Sequence, residues 1–288
     1  MKKIWIKLFS KSKYKSFKEE RNKILAKRIY ENKLEKELKK ISLAIKEKEE
    51  ITFLHSGHLG DIINSLPSIK EIAKNKKCKL FIKIQEGYLL EPSIKKLLPL
   101  LEKQDYIQEV KIYENEVIDV DLNLFRDFPI SLNLDSVRWY FHITGIHGDM
   151  SNKYLHNIDE HHLKKKIVII RSISRKNYLI NYSFLKKYND VIFIGLKNEY
   201  EDLKKEIPNL NFYECKDFLE MAQIINSCKI FIGNLSFGYT LAEGLKKPRL
   251  LESGLNFPLI YPNGKNAFDF YFQEHFESNF YKLYNETK

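Results

Sequence analysis

From Ile51 onward, hydrophobic positions alternate between short β-type runs and amphipathic stretches with helical spacing. Runs rich in β-branched and aromatic residues predict strands, and apolar residues three and four apart predict helices. The first series has predicted strands at Ile51–Ser56, Cys78–Ile84 and Gln108–Tyr113, with helices near Asp61–Lys74 and Glu91–Glu102. Strands that alternate with helices are typical of α/β proteins.

A second series of the same kind follows the basic residues Lys164–Lys166. Its predicted strands are Ile167–Arg171, Val191–Leu196, Asn211–Glu214, Lys229–Ile232 and Arg249–Glu252, and its helices lie near Ser183–Tyr188, Glu199–Glu206, Phe218–Asn226 and Tyr239–Leu245. Parallel strands need such helical crossovers, so this spacing predicts a parallel sheet. The aromatic-rich run Ala267–Tyr284 predicts a final helix.

The two series indicate two Rossmann-like domains that face a cleft. A chain of 288 residues is long enough for two cores. We predict a basic helical extension (1–50), an N-terminal Rossmann-like domain (51–160), a C-terminal Rossmann-like domain (161–266) and a terminal aromatic helix (267–288).

The net charge of +11 is concentrated at the N-terminus, because residues 1–50 carry 17 Lys or Arg against 8 Glu. Lysines alternate with apolar and aromatic residues over residues 1–18, a pattern that favours the surface of an anionic membrane. A disordered or packed tail, or a nucleic-acid contact, would share this composition. Residues 19–50 predict a docking helix with one apolar side, formed by Ile24, Leu25, Ile29, Leu34, Leu38, Ile41 and Ile45.

Nothing in the sequence resembles a membrane span or a signal peptide. Three cysteines without C-x-x-C spacing imply neither a disulfide framework nor a zinc ribbon. We therefore expect a cytoplasmic protein, with peripheral attachment to the inner face of the membrane as a further expectation.

The segment Phe231–Pro248 reads as a strand, a turn of small residues and a helix. Such a junction can offer free backbone N–H groups and a helix dipole to a diphosphate. The same junction also occurs in α/β folds that bind nothing there.

A second junction follows the first predicted strand, in the segment His55–Ile69. Gly57 and Gly60 allow a tight turn and close approach of a ligand, and Asp61 starts the next helix. Asp61 is a candidate general base, although an acid in a first helical turn also stabilises the helix dipole.

Together the two junctions resemble bacterial heptosyltransferases. The G-D-I-I-N-S-L-P turn is similar to their amino-terminal signature, and G-N-L-S-F-G-Y-T-L-A-E-G-L-K-K-P is similar to their donor loop. The resemblance implies inverting, metal-independent transfer of a sugar from a nucleotide-diphosphate donor. It implies a GT-B fold, in which residues 51–160 are the acceptor domain and residues 161–266 are the donor domain. It also implies that Asp61 is the base and that the Asn234–Thr240 loop holds the diphosphate.

Several positions match the family's donor loop and several depart from it. The matching positions are Asn234, Ser236, Leu241, Ala242 and Pro248, whereas Leu235, Phe237 and Thr240 replace Asp, Gly and His. These departures imply different contacts to the sugar, and hence a distant branch with a donor other than heptose. Gly238 and Tyr239 complete the predicted donor-binding loop.

Other candidate residues surround these two loops. Glu243 could accept hydrogen bonds from a ribose diol, or lie on the helix surface. Arg171, Arg175 and Lys176 are candidate cations for the donor phosphates, or solvated loop residues. His58 is a candidate acceptor contact, with Gly57 and Gly60 beside it.

We predict no metal and no cofactor. Asp119-Val120-Asp121 spells a D-x-D triplet, but the residues around it are spaced as a strand edge. His156, His161 and His162 lack a partner cluster in the sequence.

We therefore predict a glycosyltransferase that acts on a cell-surface glycan or glycolipid, as in lipopolysaccharide biosynthesis, and that binds no nucleic acid. A sugar-nucleotide epimerase or hydrolase of the same fold is one alternative. A non-catalytic sugar-nucleotide-binding protein is another, and the lost Asp and His of the donor loop favour it.

Overall fold

The computed structural model describes residues 11–127, 135–254 and 260–286. Its α-helices are α1 (Lys11–Ile29), α2 (Glu35–Glu47), α3 (Leu59–Ala73), α4 (Glu91–Glu102), α5 (Ser136–Thr144), α6 (Lys197–Lys204), α7 (Phe218–Ser227), α8 (Phe237–Leu245) and α9 (Gln273–Glu286). Its strands are β1 (Glu50–His55), β2 (Lys77–Ile82), β3 (Glu109–Ile112), β4 (Val120–Asp121), β5 (Ile167–Ile170), β6 (Val191–Phe193), β7 (Asn211–Phe212), β8 (Ile230–Asn234), β9 (Arg249–Glu252) and β10 (Ala267–Phe270).

The strands form two parallel sheets, as the alternating pattern predicts. The N-terminal sheet has the order β3-β2-β1-β4, and the C-terminal sheet has the order β10-β9-β8-β5-β6-β7. Both junctions singled out in the sequence therefore leave the carboxyl end of a central strand, where α/β proteins bind ligands. The predicted α/β class with two Rossmann-like halves is confirmed.

The two halves share one apolar core beneath the cleft. It extends from Phe53 and Leu66 in the N-terminal half to Tyr239 and Leu241 in the C-terminal half. A second core lies on the other face of the C-terminal sheet, where α9 packs through Phe276 and Phe280. The shared core fixes the relative position of the two junctions.

The N-terminal extension consists of α1, a π-helical turn (Tyr30–Leu34) and α2. Leu34 and Ile41 are buried in the shared core, so this part docks as predicted. Ile24 and Leu25, expected on the same apolar side, are instead more than half exposed. The predicted membrane-binding segment lies partly outside the described residues, since only its positions from 11 onward are described.

The structure differs from the sequence prediction in a few elements. Ala267–Phe270 is a strand at the edge of the C-terminal sheet, not the start of the terminal helix. Helix α5 was not predicted, and Ser183–Lys187 is a 3₁₀ helix. Strand β4 lies at the strand edge expected around the D-x-D triplet. The domain limits at residues 50, 160 and 266 stay predictions. Among the described residues, no helix combines the length and apolarity needed to cross a bilayer.

Candidate active site

The two junctions meet across the cleft and enclose a cavity of about 330 Å³. The first turns of α3 and α8 lie close together: a Cβ atom added to Gly60 would be 3.4 Å from Cγ2 of Thr240. The cavity is lined by His58, Leu59, Gly60, Asp61, Asn64, Tyr88, Leu89, Ser93, Ser136, Arg175, Leu235, Ser236, Phe237, Thr240 and Ile260. Seven of the predicted site residues are thus brought together.

Asp61 lies in the first turn of α3 with its carboxylate held from one side. Oδ2 accepts hydrogen bonds from the backbone N–H of His58 and from Nη2 of Arg126, each at 3.1 Å. Both of these bonds from the described residues end on Oδ2, so Oδ1 is the oxygen that can accept a proton from a substrate. The Asp61 side chain is 24% exposed, which leaves it accessible from the cavity.

Desolvation in this narrow site raises the pKa of Asp61 above the ordinary aspartate value, while Arg126 and His58 lower it in part. A carboxylate with a raised pKa is a stronger base than an exposed one. The environment of Asp61 therefore suits proton abstraction.

His55 stabilises the turn between β1 and α3. Its Nδ1 accepts a hydrogen bond from the Gly57 N–H at 2.9 Å, and its Nε2 lies 3.0 Å from the Tyr140 hydroxyl. Burial lowers the pKa of His55 to about 3, so the ring is neutral and structural. A Cβ on Gly57 would lie 2.6 Å from His55 and 2.9 Å from Oδ2 of Asp61, so only glycine fits there.

The N-terminus of α8 faces the same cavity and has no acid in its first turn. Among the described residues no side chain caps this terminus, because the Ser236 hydroxyl donates to the Asn234 carbonyl instead. The N–H groups of a first helical turn and the helix dipole then face the cavity. These are the groups that bind phosphate at helix termini.

Asn234 is buried and braces the turn rather than lining the cavity. Its side-chain amide accepts from the Ser172 N–H at 2.8 Å and donates to the Ser172 carbonyl at 2.7 Å. These two bonds join the ends of β5 and β8 and place the loop after β5 beside α8. The predicted donor-loop residue therefore positions the turn and does not itself line the cavity.

Of the three predicted phosphate cations, only Arg175 lines the cavity. Arg171 is 2% exposed and forms a bidentate ion pair with Glu252, in which Nε lies 2.7 Å from Oε2. Lys176 pairs with Asp202 at 3.0 Å and Glu206 at 3.3 Å. Because their charges are neutralised there, the predicted phosphate contacts of Arg171 and Lys176 are not supported by their positions.

Three residues of the predicted donor set also lie away from the cavity surface. Glu243 is buried in ion pairs with Arg249 and Lys246, so it is neither a surface residue nor placed to meet a ribose. Tyr239 is buried in the shared core. Gly238 packs against β5, where an added Cβ would lie 2.1 Å from Cδ1 of Ile170.

Two residues that contact the site had no motif to mark them in the sequence: Tyr88, which lines the cavity, and Arg126, which binds Asp61. The Arg126 guanidinium binds Asp61, lies 4.5 Å from the centre of the Tyr88 ring, and binds Asn123 at 3.1 Å. The Tyr88 ring lies 4.9 Å from that of His58. Arg126 and Tyr88 come from segments far along the chain from Asp61, and only the parallel sheet brings them together.

The residues considered for metal binding have other partners. Asp119 accepts from the Thr52 N–H at 3.0 Å, and Asp121 from the Asn123 N–H at 2.9 Å. His156 lies 3.3 Å from Asp105, and the His161 ring lies 4.1 Å from that of His162. Within the described residues, no group of three or more His, Cys, Asp or Glu is arranged to hold a metal ion.

No family model matches this chain, and no curated protein matches its sequence. Solved structures do match its fold. A family 9 glycosyl transferase from Veillonella parvula is 13% identical, with 83% of this chain and 89% of that chain covered and a TM-score of 0.55.

Two structures from E. coli give similar values. Heptosyltransferase WaaC with ADP is 10% identical, with 83% of this chain and 100% of that chain covered and a TM-score of 0.57. ADP-heptose lipopolysaccharide heptosyltransferase II is 11% identical, with 82% and 99% covered and a TM-score of 0.55. The resemblance to heptosyltransferase-like GT-B proteins is therefore confirmed at the level of the fold.

Proposed function

We propose that this protein is a glycosyltransferase that moves a sugar from a nucleotide-diphosphate donor to a hydroxyl group of an acceptor. The observation that carries the proposal is the close approach of the Asp61 turn to the N-terminus of α8, with Arg175 at the same cavity. Such a transfer needs a general base and a binding site for the diphosphate within one cavity. The shared fold with glycosyltransferases supports the same reading.

In this proposal the donor diphosphate binds at the first turn of α8. Backbone N–H groups near Ser236 and Phe237, the helix dipole and the Arg175 guanidinium would neutralise the leaving diphosphate without a metal ion. WaaC, a protein of the same fold, binds ADP. We propose a nucleoside diphosphate as the corresponding ligand here.

Asp61 would act as the general base. Its Oδ1 would take the proton of the acceptor hydroxyl. The hydroxyl oxygen would attack the anomeric carbon from the side opposite the diphosphate, whose bond to that carbon breaks, so that the product has inverted configuration. General bases typically contribute a factor of about 10²–10⁴ to the rate. Arg126 and the His58 N–H hold Oδ2 and so orient the carboxylate.

The replaced donor-loop positions give this cavity an apolar wall. Leu235 and Phe237 line it, and the Phe237 ring contacts that of Phe218 at 4.7 Å. A wall of this kind favours a sugar other than heptose, in agreement with the departures from the family's donor loop.

We further propose that the acceptor is a glycolipid and that the N-terminal helix binds an anionic membrane. Residues 11–29 contain eight Lys or Arg and two Glu, and Ile24 and Leu25 of α1 are 51% and 53% exposed. Vesicle flotation tests the membrane contact. Binding to phosphatidylglycerol vesicles but not to phosphatidylcholine vesicles should be lost in Lys23→Gln/Lys27→Gln and kept in the control Lys39→Gln/Lys40→Gln. Equal loss in both variants contradicts it.

The transfer itself is tested with a panel of ADP-, UDP-, GDP- and dTDP-sugars. Thermal-shift screening identifies the bound donors, and incubation with lipid-linked and free glycans detects the product by mass spectrometry. We expect product with inverted anomeric configuration by NMR, formed equally well in EDTA. Retained configuration, or activity lost in EDTA, contradicts the proposed mechanism.

Two other outcomes identify the alternatives. Consumption of the donor without any acceptor indicates a hydrolase or an epimerase of the same fold. Binding of the donor without turnover on any acceptor indicates a non-catalytic sugar-nucleotide-binding protein.

A further inference from the structure

A second, much smaller cavity lies beside the candidate active site, between α3 and α8. Its accessible volume is about 10 Å³, which is close to the space that one water molecule or one hydroxyl group needs. Asn64 and Ile260 line both this cavity and the large one. The small cavity is therefore a side pocket of the site, one helical turn from Asp61.

Among the described residues, two buried polar atoms on side chains that line this side pocket have no hydrogen-bond partner. They are Oδ2 of Asp135 and the hydroxyl of Tyr154, on side chains whose residues are 2% and 3% exposed. Leaving such atoms unpaired is costly, and native structures satisfy nearly all of them. The unpaired atoms indicate that a ligand or a water molecule completes this pocket.

The neighbouring charged groups do not satisfy Asp135. Its Oδ1 accepts from the Val137 N–H at 3.2 Å, while Glu243 takes the ion pairs of Arg249 and Lys246. Burial raises the pKa of Asp135 to about 6, with Arg138 and Lys246 opposing the effect and Glu243 adding to it. Oδ2 is thus an acceptor that a hydroxyl donor would stabilise.

We propose that Asp135 and Tyr154 form a recognition site for one hydroxyl group of the transferred sugar. This inference rests on the proposed function. With the diphosphate at α8 and the anomeric carbon at Asp61, the far side of the sugar faces Asn64 and Ile260, behind which the side pocket opens. The substrate class is a sugar with a hydroxyl at that position, which would take the place of the water molecule in the pocket. The deoxy analogue lacks this hydroxyl and should bind more weakly.

The first experiment examines the pocket without any donor. A high-resolution crystal structure should show one water molecule within hydrogen-bond distance of Asp135 Oδ2 and the Tyr154 hydroxyl. A dry pocket, or a thermal stability that rises in Tyr154→Phe because an unpaired hydroxyl was removed, overturns the proposal.

The second experiment uses calorimetry with a nucleoside diphosphate and its hexose conjugate, taken from the ADP, UDP, GDP and dTDP panel. Asp135→Asn keeps a side-chain oxygen for the Val137 N–H, so α5 should stay capped. We expect about 10–100-fold weaker binding of the conjugate with unchanged binding of the diphosphate, as for lost hydrogen bonds to charged groups. Asp159→Asn, at an exposed position, is the control and should change neither.

The outcomes separate this inference from the proposed function. If no nucleoside diphosphate binds the wild-type protein, the proposed function fails, and the sugar role of Asp135 fails with it even where the water is present. If the diphosphate binds but Asp135→Asn weakens both ligands equally, or neither, only the recognition site is overturned.

Discussion

The β1–α3 and β8–α8 junctions have the same local architecture and opposite electrostatic character. Both leave the carboxyl end of a parallel strand at the cavity. The first turn of α3 contains Asp61, whereas that of α8 contains no acid. The Asp61 carboxylate neutralises the positive end of the α3 dipole, so this terminus attracts a further anion only weakly. The α8 terminus has no such acid, so its dipole can still attract an anion.

The supports of the two junctions differ in the same way. The α3 turn is held by side chains, among them His55 and Arg126, that orient one carboxylate. The α8 turn is held by Asn234, whose side chain binds the backbone of Ser172, and among the described residues no side chain caps the helix terminus. The first junction presents the Asp61 carboxylate to the cavity, and the second presents the backbone N–H groups of a helix terminus. The proposed transfer uses both groups.

The largest expected effect on donor affinity comes from giving α8 the acid that distinguishes α3. Thr240→Asp places a carboxylate at the α8 terminus, opposite Asp61. We expect about 100-fold weaker binding of the nucleoside diphosphate by calorimetry, because like charges in contact cost several kcal/mol. Thr240→Val, which adds no charge, should stay within a few-fold of the wild type. Wild-type affinity in Thr240→Asp would remove the anion site from α8.

A smaller effect is expected from the cation beside α8. Arg175→Ala should weaken binding of the nucleoside diphosphate by about 10–100-fold, the range for a lost hydrogen bond between charged groups. Arg28→Ala, on the exposed face of α1, is the matched control. If the two variants bind alike, Arg175 does not contact the phosphates.

The two glycines test how tightly each junction is packed. Gly238→Ala would bring Cβ to 2.1 Å from Ile170, whereas Gly60→Ala meets Thr240 only at 3.4 Å. We expect Gly238→Ala to lower the free energy of unfolding by about 1–3 kcal/mol, as overpacking does. Gly60→Ala should be neutral in the same denaturation experiment. Equal stabilities would contradict the packing of α8 on β5.

The smallest expected effect is a shift in the pH dependence of transfer. Only the ionised Asp61 can accept a proton, so kcat/KM should fall as the pH drops through its pKa, which burial has raised. Arg126 stabilises the ionised form, and its removal in Arg126→Met should move this acid limb to higher pH. Arg126→Lys should move it less, since the positive charge is kept. An acid limb that does not move would show that Arg126 does not tune Asp61.

The sequence predicts what is local and misses what depends on tertiary contacts. Gly57, Gly60 and Asp61 mark one junction, because glycine and an N-terminal acid have direct conformational causes. Nothing in the sequence R-S-I-S-R-K-N distinguishes Arg171 from Arg175. In the structure Arg171 is buried in an ion pair with Glu252, whereas Arg175 lines the cavity.

The same reason explains the errors in the fold. The last three residues of Ala267–Phe270 alternate apolar and polar, but this run is too short to predict a strand beside the aromatic residues that continue into α9. Arg126, Tyr88 and Asp135 lie in no motif, and their roles follow only from the sheet order and from the buried atoms around them.

In the proposed mechanism, the acid of one junction accepts the proton while the helix terminus of the other binds the diphosphate of the same substrate. Asp61→Asn separates these two roles when the affinity for the nucleoside diphosphate and the single-turnover rate of transfer are measured on the same sample. We expect an unchanged affinity and a rate lower by about 10²–10⁴, the usual contribution of a general base. Transfer at nearly the wild-type rate in Asp61→Asn would contradict it.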